Sequence, residues 1–181
     1  AHNWNFIEMA GERIKVLFEQ GDLKHINLEN WMTSDNLKVI NFVIDPGYRP
    51  TETNPYMQDS LMETAHRALK ELKVYDKTVH INILINKWDI VADDNGWRRE
   101  EWGEEAIAYA RANFSSLINS IKMESTEKGF LSTREKFEVH VIPFSIGNDF
   151  GFGRYVFNWD DSPDNPTSEL LNLLKTNTPH G

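Results

Sequence analysis

The chain has 181 residues, 40% of them hydrophobic and 26% charged, which fits one globular domain with a sizeable core. Its formal net charge of -9, spread over scattered acidic groups, excludes a nucleic-acid or anionic-membrane surface as the main partner, because such phosphates are held by clustered Lys and Arg. The absence of cysteine excludes a disulfide framework and a thiolate metal site and suits a reducing, cytoplasmic setting; no stretch reaches the ~18 apolar residues of a membrane span.

Taken in chain order, the first strand-like run is Trp4 to Ile7, close behind an N-terminus without signal-like character. Leu37 to Ile44 (LKVINFVI) and Val79 to Ile85 (VHINILI) are near-continuous in branched apolar residues, the pattern of strands covered on both faces of a parallel sheet. Between them, Asp59 to Leu72 carries Leu61, Met62, Ala65, Leu69 and Leu72 at three- and four-residue spacing, which predicts a helix. Asp93 to Gly103 is predicted as a long loop. Glu104 to Met123 follows as a helix through Ile107, Ala110, Phe114, Leu117, Ile118 and Ile121. A further strand spans Phe137 to Phe144 (FEVHVIPF), then a Gly-, Pro- and Asp-rich loop runs from Asn148 to Thr167. A last short helix starts near Ser168 and carries Leu170, Leu171, Leu173 and Leu174. Strands alternating with helices predict one doubly wound α/β domain over residues 1–181, mainly parallel, with helices on both faces. Ligands of such sheets sit beyond the carboxyl ends of the strands.

Three short motifs carry chemistry. Asn86-Lys87-Trp88-Asp89 stands directly after VHINILI, where an Asp carboxylate could accept two parallel hydrogen bonds from the N1 and N2 donors of guanine, a pair adenine cannot supply. Ser145-Ile146-Gly147 ends the FEVHVIPF strand. Glu8-Met9-Ala10-Gly11-Glu12 follows the first strand-like run. In this order the three resemble the NKxD, Ser-Ala-type and DxxG motifs of Ras-like P-loop GTPases, from the DxxG-like motif onward, as found in prokaryotic multidomain GTPases.

The resemblance implies a P-loop NTPase-like fold that binds GTP and GDP with Mg2+ and hydrolyses GTP. It implies that Asn86, Lys87, Asp89 and Ser145 select guanine, with backbone contacts from Ile146 and Gly147. Gly11 would sense the terminal phosphate, Glu8 would hold magnesium through water, and Glu12 would orient the attacking water. Glu8 stands where the family has Asp, one methylene shorter. No GxxxxGK[ST] phosphate loop occurs in the sequence and no Thr-bearing switch precedes Glu8. The resemblance therefore implies a segment of a longer chain, whose other domains or protein partners complete it, or a degenerate relative serving as a catalytically inactive scaffold. The abrupt start favours the former. A third possibility is another α/β phospho-ligand domain in which the NKWD sequence is accidental.

Remaining residues are read more plainly. Asp45-Pro46-Gly47 is a turn first and a nucleotide-side element second. His2, His25, His66, His80, His140 and His180 lack metal-site spacing in sequence, and His80 and His140 are expected to be structural. Trp97, Trp102 and Trp159 either present a partner surface or cover the core.

Overall fold

The computed structural model describes residues 34–53, 55–128 and 133–145, together with Glu19 and Met32. The expected strand at Trp4 to Ile7, the loop Asn148 to Thr167, the helix near Ser168 and Trp159 lie outside the described residues.

Strands β1 (Lys38–Ile44), β2 (Thr78–Ile85) and β5 (Glu138–Pro143) form a parallel sheet in the order β1-β2-β5. The intervening elements are α1 (Gln58–Glu71), α2 (Trp88–Asn95), α3 (Trp102–Asn113), α4 (Ser115–Glu124) and a short antiparallel hairpin of β3 (Thr126–Lys128) and β4 (Thr133–Glu135). The chain is thus a mixed α/β structure with parallel strands joined through helices, and the predicted strand and first-helix boundaries fall within one or two residues of those observed.

The register divides the sheet into two unlike faces. On one face three rows align, Ile40 with Ile81 and Val139, Phe42 with Ile83 and Val141, and Ile44 with Ile85 and Pro143. This face is the core: Ile44, Ile81, Ile83 and Ile85 are fully buried, and Leu61, Ala65 and Leu69 of α1, Ala92 of α2, Ala106 and Ala110 of α3, and Leu117, Ile118 and Ile121 of α4 join the same cluster. All four described helices therefore lend their apolar stripes to one sheet face, the main source of stability by area removed from water. The other face carries Val39, His80 and Glu138 in one row, Asn41, Asn82 and His140 in the next, and Val43, Leu84 and Ile142 in the third. One of those three rows is wholly polar and a second is polar apart from Val39, although the strand sequence reads as almost wholly apolar.

Two expectations are corrected between β2 and β5. The long loop expected over Asp93 to Gly103 is mostly helical, with α2 ending at Asn95, a 3-10 turn at Arg99–Glu101 and α3 starting at Trp102. The cause is Gly96, which turns left-handed at φ 69° and donates its N–H to the Asp93 carbonyl at 3.2 Å, while Trp97 N–H reaches Ala92 at 3.0 Å. A glycine in this conformation ends a helix tightly, so few residues are needed to connect it to the next. The single helix expected over Glu104 to Met123 is two helices broken at Phe114, where φ -132° and ψ 30° leave the helical region. Phe114 is buried at the break and its carbonyl still accepts the Ile118 N–H at 3.0 Å, so the apolar stripe continues across it.

Inside this core His66 of α1 meets the Tyr75 hydroxyl through Nδ1 at 2.7 Å, with Tyr75 resting on Phe137. Desolvation lowers the His66 pKa below 6.5 against the pull of the Glu124 carboxylate, which is itself paired with Lys70. The unfolded histidine takes a proton at a higher pH than the folded one, so the unfolded state gains protons first as pH falls. Stability held above about pH 6.5 is therefore lost on acidification toward the lower folded value. A His66→Gln variant should show a flatter decline in Tm between pH 7 and pH 5 than the parent; equal slopes would assign the decline to other groups.

Candidate functional site

The carboxyl ends of the three parallel strands meet in a tied corner. Asn86 N–H donates to the Ile44 carbonyl at 2.8 Å, Phe144 N–H donates to Ile85 at 2.8 Å, and Trp88 N–H donates to Phe144 at 3.1 Å. These bonds extend the sheet ladder one step past its last paired residues, so Asp45, Asn86 to Asp89 and Ser145 form one edge.

Within that edge the backbone turns sharply. Lys87 is left-handed at φ 55°, one of two described non-glycine residues with positive φ, the other being Lys73. A lysine there is strained by about 1–2 kcal/mol relative to the right-handed region. Such outliers cluster where geometry serves a site. The turn is braced by the Asn86 side chain, whose Oδ1 accepts the Lys87 N–H at 3.0 Å. Asp89 falls in the first turn of α2, half-exposed, where the helix dipole favours a carboxylate.

Trp88 fixes the motif from beneath. It is fully buried, stacked on Trp97 at 5.6 Å and edge-on to Tyr109 at 5.8 Å. Its indole Nε1 is buried with no hydrogen-bond partner among the described residues. Trp97 accordingly covers the core, and Trp102 is half-buried at the start of α3 with Arg99 over its ring at 5.4 Å.

Asp45 is the residue the sequence reading undervalued. Its Oδ2 accepts a hydrogen bond from the Lys87 ammonium at 2.8 Å, and its Oδ1 accepts from Gly47 N–H at 2.9 Å. The Gln58 amide, with its nitrogen facing the Asp45 carbonyl and its oxygen the Asp45 N–H, spans both at 3.2 and 3.1 Å. The Asp-Pro-Gly turn is thus a pinned acidic partner for Lys87. The signal available in sequence was an Asp closing the apolar strand that precedes the NKWD-bearing one.

No family model, curated protein or solved structure matches the chain. The geometry of the edge therefore carries the functional reading.

Of the residues singled out from sequence, Asn86, Lys87, Asp89 and Ser145 come together at this edge, with Ser145 buried immediately after Phe144. Glu8, Gly11, Glu12, Ile146 and Gly147 lie outside the described residues. The edge offers two carboxylates, Asp45 and Asp89, one ammonium, and a side-chain amide, a set able to read the donor and acceptor pattern of a planar polar ligand. The Lys87–Asp45 pair is solvent-accessible, with 53% and 34% of the two side chains exposed, so it is worth less than about 1 kcal/mol. Lys87→Gly removes that pair but also releases the left-handed strain. Its unfolding free energy in urea should therefore stay within about 1 kcal/mol of the parent. A larger loss would make Lys87 a structural residue.

Proposed function

We propose that the chain is the guanine-specifying part of a GTP-binding switch domain that hydrolyses GTP to GDP with Mg2+. In this reading the fold is a doubly wound, P-loop NTPase-like sheet in a cytoplasmic protein, the four described helices covering one of its faces. The observation that carries it is the seating of Asn86-Lys87-Trp88-Asp89 at the carboxyl end of the central parallel strand, with Ser145 ending the adjacent strand. Asp89 accepts the N1 and N2 hydrogens of guanine, Asn86 holds the turn, and the Lys87 stem lies along the base. Adenine lacks that pair of donors and would leave the carboxylate unsatisfied. Ser145, with Ile146 and Gly147, completes the base contacts, while Gly11, Glu8 and Glu12 serve the phosphate, the metal and the attacking water.

Hydrolysis requires phosphate contacts that the described residues do not include. Glu8, standing where the resembled motif has Asp, motivates a second reading, a GTPase-like scaffold that recruits protein partners or other domains without turnover. Binding of a fluorescent GDP analogue, with competition by GTP and by ATP, tests the base-specific claim for this chain and for any longer chain that contains it. Displacement by GTP and not by ATP is expected. Equal displacement by both nucleotides rejects guanine selection, and GTP turnover separates the switch from the scaffold.

A further inference from the structure

We propose that His80, Glu138 and His140 form a zinc site on the polar face of the sheet. The inference is independent of the nucleotide reading. His80 lies directly across from Glu138 in the β2–β5 register, and Glu138 and His140 are two residues apart on one face of β5. Backbone pairing alone thus brings together three side chains that are remote in sequence, 60 residues separating the two histidines.

The spacing of the three ligand atoms is the central observation. His80 Nδ1 lies 3.4 Å from Glu138 Oε2, His140 Nε2 lies 3.3 Å from the same oxygen, and the two ring nitrogens are 3.4 Å apart. Three atoms in a nearly equilateral triangle of this size match one face of a tetrahedron around zinc. With metal–ligand bonds of ~2.0–2.1 Å, ligand atoms in a tetrahedral shell are separated by about 3.3–3.4 Å. An octahedral magnesium shell with bonds of the same length would bring neighbouring ligands to about 2.8–3.0 Å, and it would prefer oxygen over imidazole. Two imidazoles with one carboxylate suit zinc and its transition-metal neighbours.

A hydrogen-bonded triad without metal fits the same distances poorly. Charge-assisted N–H···O contacts run ~2.7–2.9 Å, well short of the separations here. If both rings donated to Glu138, their two N–H groups would also face each other. A cation between the three atoms resolves this, since each then offers a lone pair.

The surroundings suit a site with an open position. The His80 side chain is 7% exposed, that of His140 25% and that of Glu138 61%, so two rigid ligands sit under a third that faces solvent. Three protein ligands leave a fourth place for water or another ligand. Asn82, next to His140 in the register, is fully buried, and its Oδ1 has no hydrogen-bond partner among the described residues while its amide donates to Asn41 at 2.9 Å. The site lies near the amino ends of the strands; His80 precedes Asn86 by six residues, about 20 Å of extended chain.

The test is titration of the chelator-stripped full chain with Zn2+ by calorimetry, repeated with Co2+ as a spectroscopic stand-in. The expected result is one tight equivalent and the strong visible absorption of tetrahedral Co2+. Glu138→Gln and His140→Ala, each verified as folded by circular dichroism, should weaken zinc binding by at least 100-fold. A triple variant replacing His2, His25 and His180 with Gln should bind as the parent does. Absence of a stoichiometric zinc site, or parent-like zinc affinity in Glu138→Gln and His140→Ala, would overturn the proposal. Loss of the tight site in the triple variant alone would do the same.

Discussion

Replacing Asp89 with alanine is expected to erase discrimination between guanine and adenine nucleotides and to leave the fold intact. The half-exposed carboxylate sits in the first turn of α2, so its removal opens no core cavity. It would cost at most about 1 kcal/mol of helix-dipole stabilisation. The loss in guanine binding is far larger. Two charge-assisted hydrogen bonds of ~1.5–3 kcal/mol each would disappear together, which corresponds to a fall in GDP affinity of roughly 100-fold or more. Fluorescence titration of parent and variant with a GDP analogue measures it, and urea unfolding checks the fold. An Asp89→Ala variant that retained full guanine preference would remove the carboxylate from the site.

The largest effect on stability is expected at Trp88. The indole is fully buried between Trp97 and Tyr109, beneath the turn that carries Lys87 and Asp89. Trp88→Ala leaves a large cavity and should cost about 3–5 kcal/mol of unfolding free energy. Trp88→Phe should cost much less, within about 1–2 kcal/mol of the parent. The phenyl ring keeps most of the stacking, and the change removes an indole N–H that is buried without a partner among the described residues. Denaturant unfolding of both variants makes the comparison. Equal, large losses would mean that the N–H is satisfied in solution and contributes to stability. Because the same side chain anchors the NKWD turn, Trp88→Ala should also weaken GDP binding, linking core packing to the site.

The sheet was readable because its strands are runs of Val, Ile, Leu and Phe bounded by polar residues, and the structure follows those runs closely. Periodicity was a poorer guide between β2 and β5. Ala110, Phe114, Leu117 and Ile121 keep helical spacing through the bend at Phe114, so an apolar stripe cannot reveal a change of backbone direction beneath it. Gly96 and its acidic neighbours look like loop composition, yet a single left-handed glycine is enough to end one helix and begin the approach to the next.

Long-range pairing was invisible in principle. Asn86 to Asp89 could be recognised as a contiguous motif, whereas the Asp45–Lys87 pair and the His80–Glu138–His140 triangle exist only because parallel strands set distant residues side by side. A trace of the triangle was present in the alternation Glu138-Val139-His140, which puts two potential ligands on one face of a strand. Its partner, His80, could be assigned only once the β2–β5 register was known.

The most direct measurement is the change in backbone amide NMR shifts of the isotopically labelled chain on titration with GDP and, separately, with ADP. The account predicts shifts with GDP concentrated at Asp45, at Asn86 to Asp89 and at Ser145, and little response at those amides to ADP. Identical responses to the two nucleotides, or GDP-induced shifts confined to other parts of the chain, would contradict it.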